Sequence, residues 1–382
     1  MIVVCELQFS NWGHEECNCG VLNLLANAFP NERICFYGEK GHIKCLREIG
    51  LNARVACSEI SIKDSSCAWR KEHEPFYRDA IKSVLKQSNI FKNDFLFFLA
   101  SPNALLSAFL AIAKNADFKT FFIQHANMDW LLQEGRGRDF GYSSVDLLDS
   151  TKDFPNVKFI AYNPYCRKSL GKILNNEVLN KFCFLNHAPS VNKGDPILNG
   201  NVIKIGVYGA CQRSMLFFDL LRGLHEKYRN EVLGKIEFNV IKAADMHNLD
   251  CSFLYPKFCV VKQTLNGFSR AQKERFVNQM DWILLPYDSS EYRVSMSGIL
   301  ADAIGFEKPF LGLNSPILEY YNNKAKPIGV IKNTTEELAA YIANELPMLS
   351  KGAYNKYVES QGKMKQIVAD ENVRLIKKMV AL

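Results

Sequence analysis

The densest group of chemistry-bearing residues lies between Asp281 and Gly312. The apolar run Trp282–Leu285 ends at Pro286, a polar loop holding Tyr292 and Arg293 follows, and Ser295-Met-Ser-Gly298 opens a helix. A serine at a helix N-cap with glycine beside it leaves backbone N–H groups and the positive end of the helix dipole open to an anion. That chemistry suits a diphosphate, held by Ser295, Ser297 and Gly298, with Arg293 adding a charge-assisted pair. Further along the same helix, Asp302 offers a carboxylate that could accept hydrogen bonds from ribose hydroxyls. The other reading of these residues is a capped helix with solvated charges.

A second group opens the chain, in Asn11-Trp-Gly-His-Glu-Glu-Cys-Asn-Cys-Gly20. Read as a loop between a first strand and a helix Val21–Phe29, it presents His14, Glu15 and Glu16 at a strand's C-terminal end. Each is the right kind of group for a general base that takes a proton from a hydroxyl, or is exposed loop charge. His14 is preferred because its ordinary pKa lies nearest neutrality. His125 follows the strand Thr120–Ile123 and either reaches a ligand or bonds a backbone carbonyl in the core. Gly135-Arg-Gly-Arg-Asp139 reads as a basic loop. His14, Cys17 and Cys19 resemble a zinc triplet without a fourth ligand at metal spacing, and no Asp-x-Asp follows a strand in an apolar context. No metal is expected.

The elements that must position these residues alternate along the chain. Strands are predicted at Ile2–Cys5, Ile34–Tyr37, Ala53–Cys57, Phe95–Leu99, Thr120–Ile123, Lys158–Tyr162 and Phe182–Leu185, with helices Phe76–Lys86, Ala104–Lys114 and Tyr165–Leu174 among them. Pro189–Asn201 is rich in Pro, Asn, Gly and Ser and reads as a linker. The alternation then restarts: strands Val202–Tyr208, Ile236–Ile241, Cys259–Val261, Trp282–Leu285, Pro309–Leu313 and Ile328–Ile331. Helices Met215–Tyr228, Arg270–Met280, Ser297–Ile304 and Thr335–Leu346 and a helical tail accompany them. Short apolar strands between helices imply parallel sheets covered on both faces. The reading is therefore two doubly wound α/β domains, residues 1–190 and 191–365, with 366–382 a helix packing back on the first. Ligands of such sheets bind outside the C-terminal ends of the strands, which places a cleft between the two domains.

At 382 residues the chain is long enough for two cores, and a hydrophobic content of 48% with 23% charged residues describes a globular protein and not a disordered one. Met1-Ile-Val-Val-Cys-Glu6 lacks the basic region and cleavage site of an export signal, so the twelve cysteines read as buried thiols of a cytoplasmic protein. Phe95–Ala113 is uncharged, but Ser101-Pro-Asn103 divides it into a strand and a helix, against a membrane span. The net charge of +7 comes without a Lys/Arg block or nucleic-acid-binding motif, so the expected partners are phosphorylated ligands or an anionic membrane surface and not nucleic acid.

The residues Leu285-Pro-Tyr287, Ser297-Gly298, Asp302-Ala303 and Lys308-Pro-Phe-Leu-Gly312 resemble the nucleotide-sugar signature of GT-B glycosyltransferases, family 4 above all. The stretch Leu265–Asp281 is similar to the family's helix leading into that strand. Ile203-Lys-Ile-Gly-Val-Tyr-Gly209, followed by Arg213, resembles the opening of its donor domain. The resemblance implies a GT-B fold of two Rossmann-like domains, with Gly209, Arg213, Tyr292, Arg293, Ser295, Ser297, Gly298 and Asp302 at the donor. It implies His125 at the sugar, with His14, Glu15 or Glu16 as acceptor base. The helix dipole and basic side chains would steady the leaving diphosphate in place of a divalent metal, and no cofactor is required. A nucleoside-diphosphate sugar donor and a glycan or lipid-linked acceptor follow. So does a role in bacterial lipopolysaccharide, O-antigen or capsule synthesis on the cytoplasmic face of the inner membrane. The chain departs from the family's Glu-x7-Glu pair, having Val294 and Asp302, which leaves a retaining or inverting outcome open; its first loop is also poorer in glycine. A silent sugar- or nucleotide-binding protein, and another GT-B enzyme such as an epimerase or phosphorylase, are the alternatives.

Overall fold

The computed structural model describes residues 1–381 apart from 12, 63–69, 114–115, 125–127, 129–130, 132–141, 188–200, 210, 212–213, 243–255, 264–269 and 289. His125, Arg213 and the Gly135–Asp139 loop lie outside the described residues. Two compact units form: the first holds Met1–Val191, Arg293–Met296 and Val368–Leu382, the second Asn192–Tyr292 and Ser297–Ile367.

In the first unit seven strands, β1 (Ile2–Cys5), β2 (Ile34–Gly38), β3 (Val55–Glu59), β4 (Phe95–Phe98), β5 (Lys119–Gln124), β6 (Val157–Tyr162) and β7 (Phe182–Leu185), make one parallel sheet in the order 3-2-1-4-5-6-7. Alternate residues feed two cores. Val3, Leu96, Phe98, Phe122 and Phe159 point into one. Ile2, Val4, Phe97, Phe121 and Ile160 point into the other. Helices Glu74–Ser88 and Asn103–Ile112 cover the first face; Glu15–Ala28, Lys40–Glu48 and the end of Lys351–Ala381 cover the second. Both faces are dry, which is why the strands read as continuous apolar runs. Asn372 fastens the closing helix by accepting from the Asn186 N–H (2.8 Å) and donating to the Asn186 carbonyl (2.7 Å).

The second unit has six parallel strands, β8 (Ile203–Val207), β9 (Ile236–Lys242), β10 (Cys259–Gln263), β11 (Trp282–Leu285), β12 (Phe310–Leu313) and β13 (Gly329–Lys332), ordered 10-9-8-11-12-13. That is the Rossmann order, whose direction reverses between β8 and β11. Asp281 locks the two central strands: its carboxylate accepts from the Lys204 N–H (2.7 Å), and its carbonyl from the Tyr354 hydroxyl (2.9 Å).

All thirteen predicted strands form, within a residue or two of their expected ends. The first helix differs. It begins at Glu15, not Val21, so Glu15 and Glu16 form its first turn instead of a loop. Two carboxylates there lie at the positive end of the dipole, which favours the early start. The helix expected over Tyr165–Leu174 shortens to Cys166–Leu170, ending at Gly171. Lys40–Glu48 and Pro316–Lys324, not anticipated from the sequence, are helical. The apolar stretch from Phe95 resolves into β4, a turn and the helix Asn103–Ile112, and no helix among the described residues is long and apolar enough to cross a membrane. The cysteines among the described residues are free thiols, and burial pushes that of Cys17 up to about 12.

Candidate functional site

In the second unit the strand order reverses between β8 and β11, and the loops leaving those strands are tied together. The β8 strand runs into Tyr208 and Gly209; β11 runs into Pro286 and Tyr287. Gly209 adopts φ +60°, a left-handed conformation that favours glycine, and a Cβ there would stand 2.9 Å from Ile299 Cδ1. The bare backbone lets the loop lie against the helix Gly298–Gly305. Ser214 donates to the Pro286 carbonyl at 3.2 Å, joining the loop after β8 to the end of β11. The buried Tyr287 hydroxyl hydrogen-bonds the Ser297 Oγ and the Cys211 thiol. Tyr292 (φ +53°) packs its ring at 4.7 Å from that of Tyr287.

Ser297 caps the helix as expected, its Oγ accepting from the Leu300 N–H at 3.2 Å. Gly298, the first helical residue, is exposed, and a Cβ on it would meet nothing within 4 Å. A helix start with one cap bond satisfied and a side-chain-free residue facing solvent is the arrangement a diphosphate needs.

Three of the expected donor-side residues have surroundings that the sequence did not show. Asp302 is 5% exposed; it pairs with Lys273 Nζ at 3.1 Å and accepts from the Tyr208 hydroxyl at 3.1 Å. Both of its oxygens thus have partners inside the unit. Ser295 is buried, and its carbonyl accepts from Asn163 Nδ2 at 2.7 Å, within the first unit. Arg293, exposed, belongs to that same unit. Between them Val294 is 1% exposed in the first unit's core.

The first unit has its own reversal between β1 and β4. Leaving β1, the chain meets Glu6, which is 0% exposed. Its carboxylate accepts from the N–H groups of Gln8 (2.8 Å) and Phe9 (3.1 Å) and from Asn18 Nδ2 (2.9 Å). Burial outweighs these bonds and raises the carboxyl to about 7. Asn18 Nδ2 also lies 3.0 Å from His42 Nε2, and His42 Nδ1 lies 2.8 Å from the Asn11 carbonyl. His14 takes the N-cap position of the helix with φ +54° and makes no side-chain cap bond. Its ring stacks on Phe9 at 4.2 Å and 13°.

The fold shifts the pKa that made His14 the preferred base. Burial, with His187 and His42 adding to the effect, lowers its pKa from the ordinary 6.5 to about 4. It is neutral at pH 7 and a weaker base than an ordinary imidazole. Glu6, by contrast, is a carboxyl that burial lifts toward neutrality. The sequence signal for it was present: a charged residue closing an otherwise apolar strand. Among the described residues no cluster of His, Cys, Asp and Glu could hold a metal ion.

No protein-family model matches the chain, and no curated protein matches it. Solved structures do. Sucrose-phosphate synthase from Thermosynechococcus elongatus is similar over 100% of this chain and 99% of its own, with a TM-score of 0.65 at 10% identity. HepE of Anabaena, solved in complex with UDP and glucose, is similar over the same shares, with a TM-score of 0.64 at 10% identity. The spinosyn forosaminyltransferase SpnP is similar over 100% and 99%, with a TM-score of 0.51 at 12% identity. The strand orders and these likenesses together give the chain the GT-B fold of glycosyltransferases, built from two Rossmann-like α/β domains.

Proposed function

We propose that this chain is a glycosyltransferase that takes a sugar from a nucleoside-diphosphate sugar, holding the donor in its second unit at the C-terminal ends of β8 and β11. The observation that carries this reading is the exposed Gly298 at the start of a helix capped by Ser297, beside the strand-order reversal. Arg213 is the basic side chain assigned to the diphosphate, and the reading calls on no divalent metal. The acceptor, a glycan or a lipid-linked glycan, is assigned to the first unit. There His14, with Glu15, Glu16 and His125 as its companions, is the proposed proton acceptor. Surface-polysaccharide synthesis on the cytoplasmic face of a bacterial inner membrane is the setting this reading favours, the net charge of +7 suiting an anionic surface.

A second reading, binding of a nucleotide sugar without transfer, draws support from Val294 and Asp302. One position has no carboxylate and the other commits its carboxylate to Lys273 and Tyr208. Thermal-shift titration with UDP, GDP, CMP and their sugars, followed by a transfer assay on those that bind, separates the two. The transferase reading expects Arg213→Ala to weaken nucleotide binding and His14→Ala to lower turnover while donor binding holds. Binding with no transfer to any acceptor would select the second reading, and no nucleotide binding at all would remove both.

A further inference from the structure

The proposed proton acceptor His14 stands at the start of the first helix, where its backbone takes φ +54°. The ring lies flat on Phe9, and Phe9 is held through its backbone N–H by Glu6. Gly13 permits the stack, because a Cβ there would stand 3.0 Å from Phe9 Cδ1. The remainder of the turn is fixed at a second point. Asn11, at φ +49°, donates its N–H to Glu39 at 3.2 Å and has its carbonyl against His42 Nδ1. A Cβ on Gly41 would collide with the Asn11 side chain. His42 in turn meets Asn18, and Asn18 returns to Glu6. The hydrogen-bonded path thus starts and ends on one fully buried carboxylate with three neutral donors.

Burying a carboxyl group is costly unless hydrogen bonds compensate, and two of the three that Glu6 accepts come from the backbone of this turn. We infer that Glu6 is the positioning residue of the acceptor side: by holding the backbone of Gln8 and Phe9 it fixes the aromatic platform on which His14 stacks. The inference rests on the reading of His14 as the proton acceptor, but the geometry it describes does not depend on any substrate. Glu6 itself is enclosed beneath the turn and acts through Phe9.

The test follows the titration of the His14 ring by nitrogen-15 NMR, assigned with a His14→Gln variant, in the full chain without substrate. In the wild type His14 should titrate near 4. Phe9→Ala, a change at a half-buried side chain, and Glu6→Ala should both release the ring and move its midpoint up by as much as about 2 units, toward the ordinary imidazole value. Glu6→Gln keeps an oxygen for the Gln8 and Phe9 N–H groups and should leave the midpoint near 4. If Glu6→Ala does not fold, Phe9→Ala and Glu6→Gln still decide the matter. A His14 midpoint that stays put in Phe9→Ala, or one that moves fully in Glu6→Gln, would overturn the inference. A wild-type chain that binds no nucleotide and transfers no sugar would sink the transferase reading alone, since the titration stands without it.

Discussion

Glu6 makes the first unit less stable as the pH rises, and the size of the effect can be worked out. The side chain is 0% exposed, and its carboxyl is raised from 4.5 to about 7. Between those values the folded chain holds a proton that the unfolded chain releases. The stabilisation is therefore complete below about 4.5 and is lost as the pH climbs through about 7. Each unit of difference is worth about 1.4 kcal/mol, so the loss comes to roughly 3 kcal/mol. Glu6→Gln cannot ionise and isolates the term, because other titrating groups contribute equally to both proteins. Urea unfolding of the two proteins at intervals from pH 4 to pH 8 is the assay. The stability of the wild type relative to Glu6→Gln should fall by roughly 3 kcal/mol across that range, a relative midpoint shift on the order of 1 M urea. A difference that stays level within about 1 kcal/mol would mean that Glu6 is ionised in the fold throughout, and the burial argument would be wrong.

Other changes address the second unit. Lys273→Met removes the cation paired with the buried Asp302 carboxylate, and should cost about 3–5 kcal/mol in thermal or urea unfolding; adding Asp302→Leu should recover most of it. Ser297→Ala removes the cap acceptor and a partner of the Tyr287 hydroxyl, so a loss of about 1 kcal/mol or more is expected, with weaker nucleotide binding by calorimetry. Gly209→Ala must hold φ +60° and press on Ile299, costing about 1–2 kcal/mol plus the effect of a shifted helix start on nucleotide affinity. Gly234→Ala, at φ +77° with open space around it, is the control for the backbone effect alone, and should lower stability without touching binding.

What could be read from the sequence followed its strongest physical signals. Strands such as Ile2–Cys5 and Trp282–Leu285 are buried on both faces, so apolar runs bounded by Pro, Glu or Asp marked them almost to the residue. Ser297-Gly298 was legible because an N-cap serine acts locally, on the N–H three residues ahead. The start of the first helix was not legible. His14 caps it with a left-handed backbone and no side-chain bond, a device that leaves no trace in residue type. Long-range pairings were equally hidden: nothing in the spacing tells Asp302 to meet Lys273 and Tyr208, so it read as available to a ligand. Val294 had marked only a missing carboxylate, whereas its burial in the first unit's core gives the apolar residue its own reason to be there. Glu6 was visible as the end of a strand, but its titration near neutrality comes from an enclosure that only the folded chain supplies.

The measurement that bears most directly on the account is a crystal structure of the chain with UDP or GDP bound, whichever the thermal shift selects. The diphosphate should lie at the start of the helix Gly298–Gly305, with phosphate oxygens about 3 Å from the backbone N–H groups of Gly298 and its neighbour. A nucleotide whose phosphates sit away from that helix end, with Gly298 still facing solvent, would contradict it.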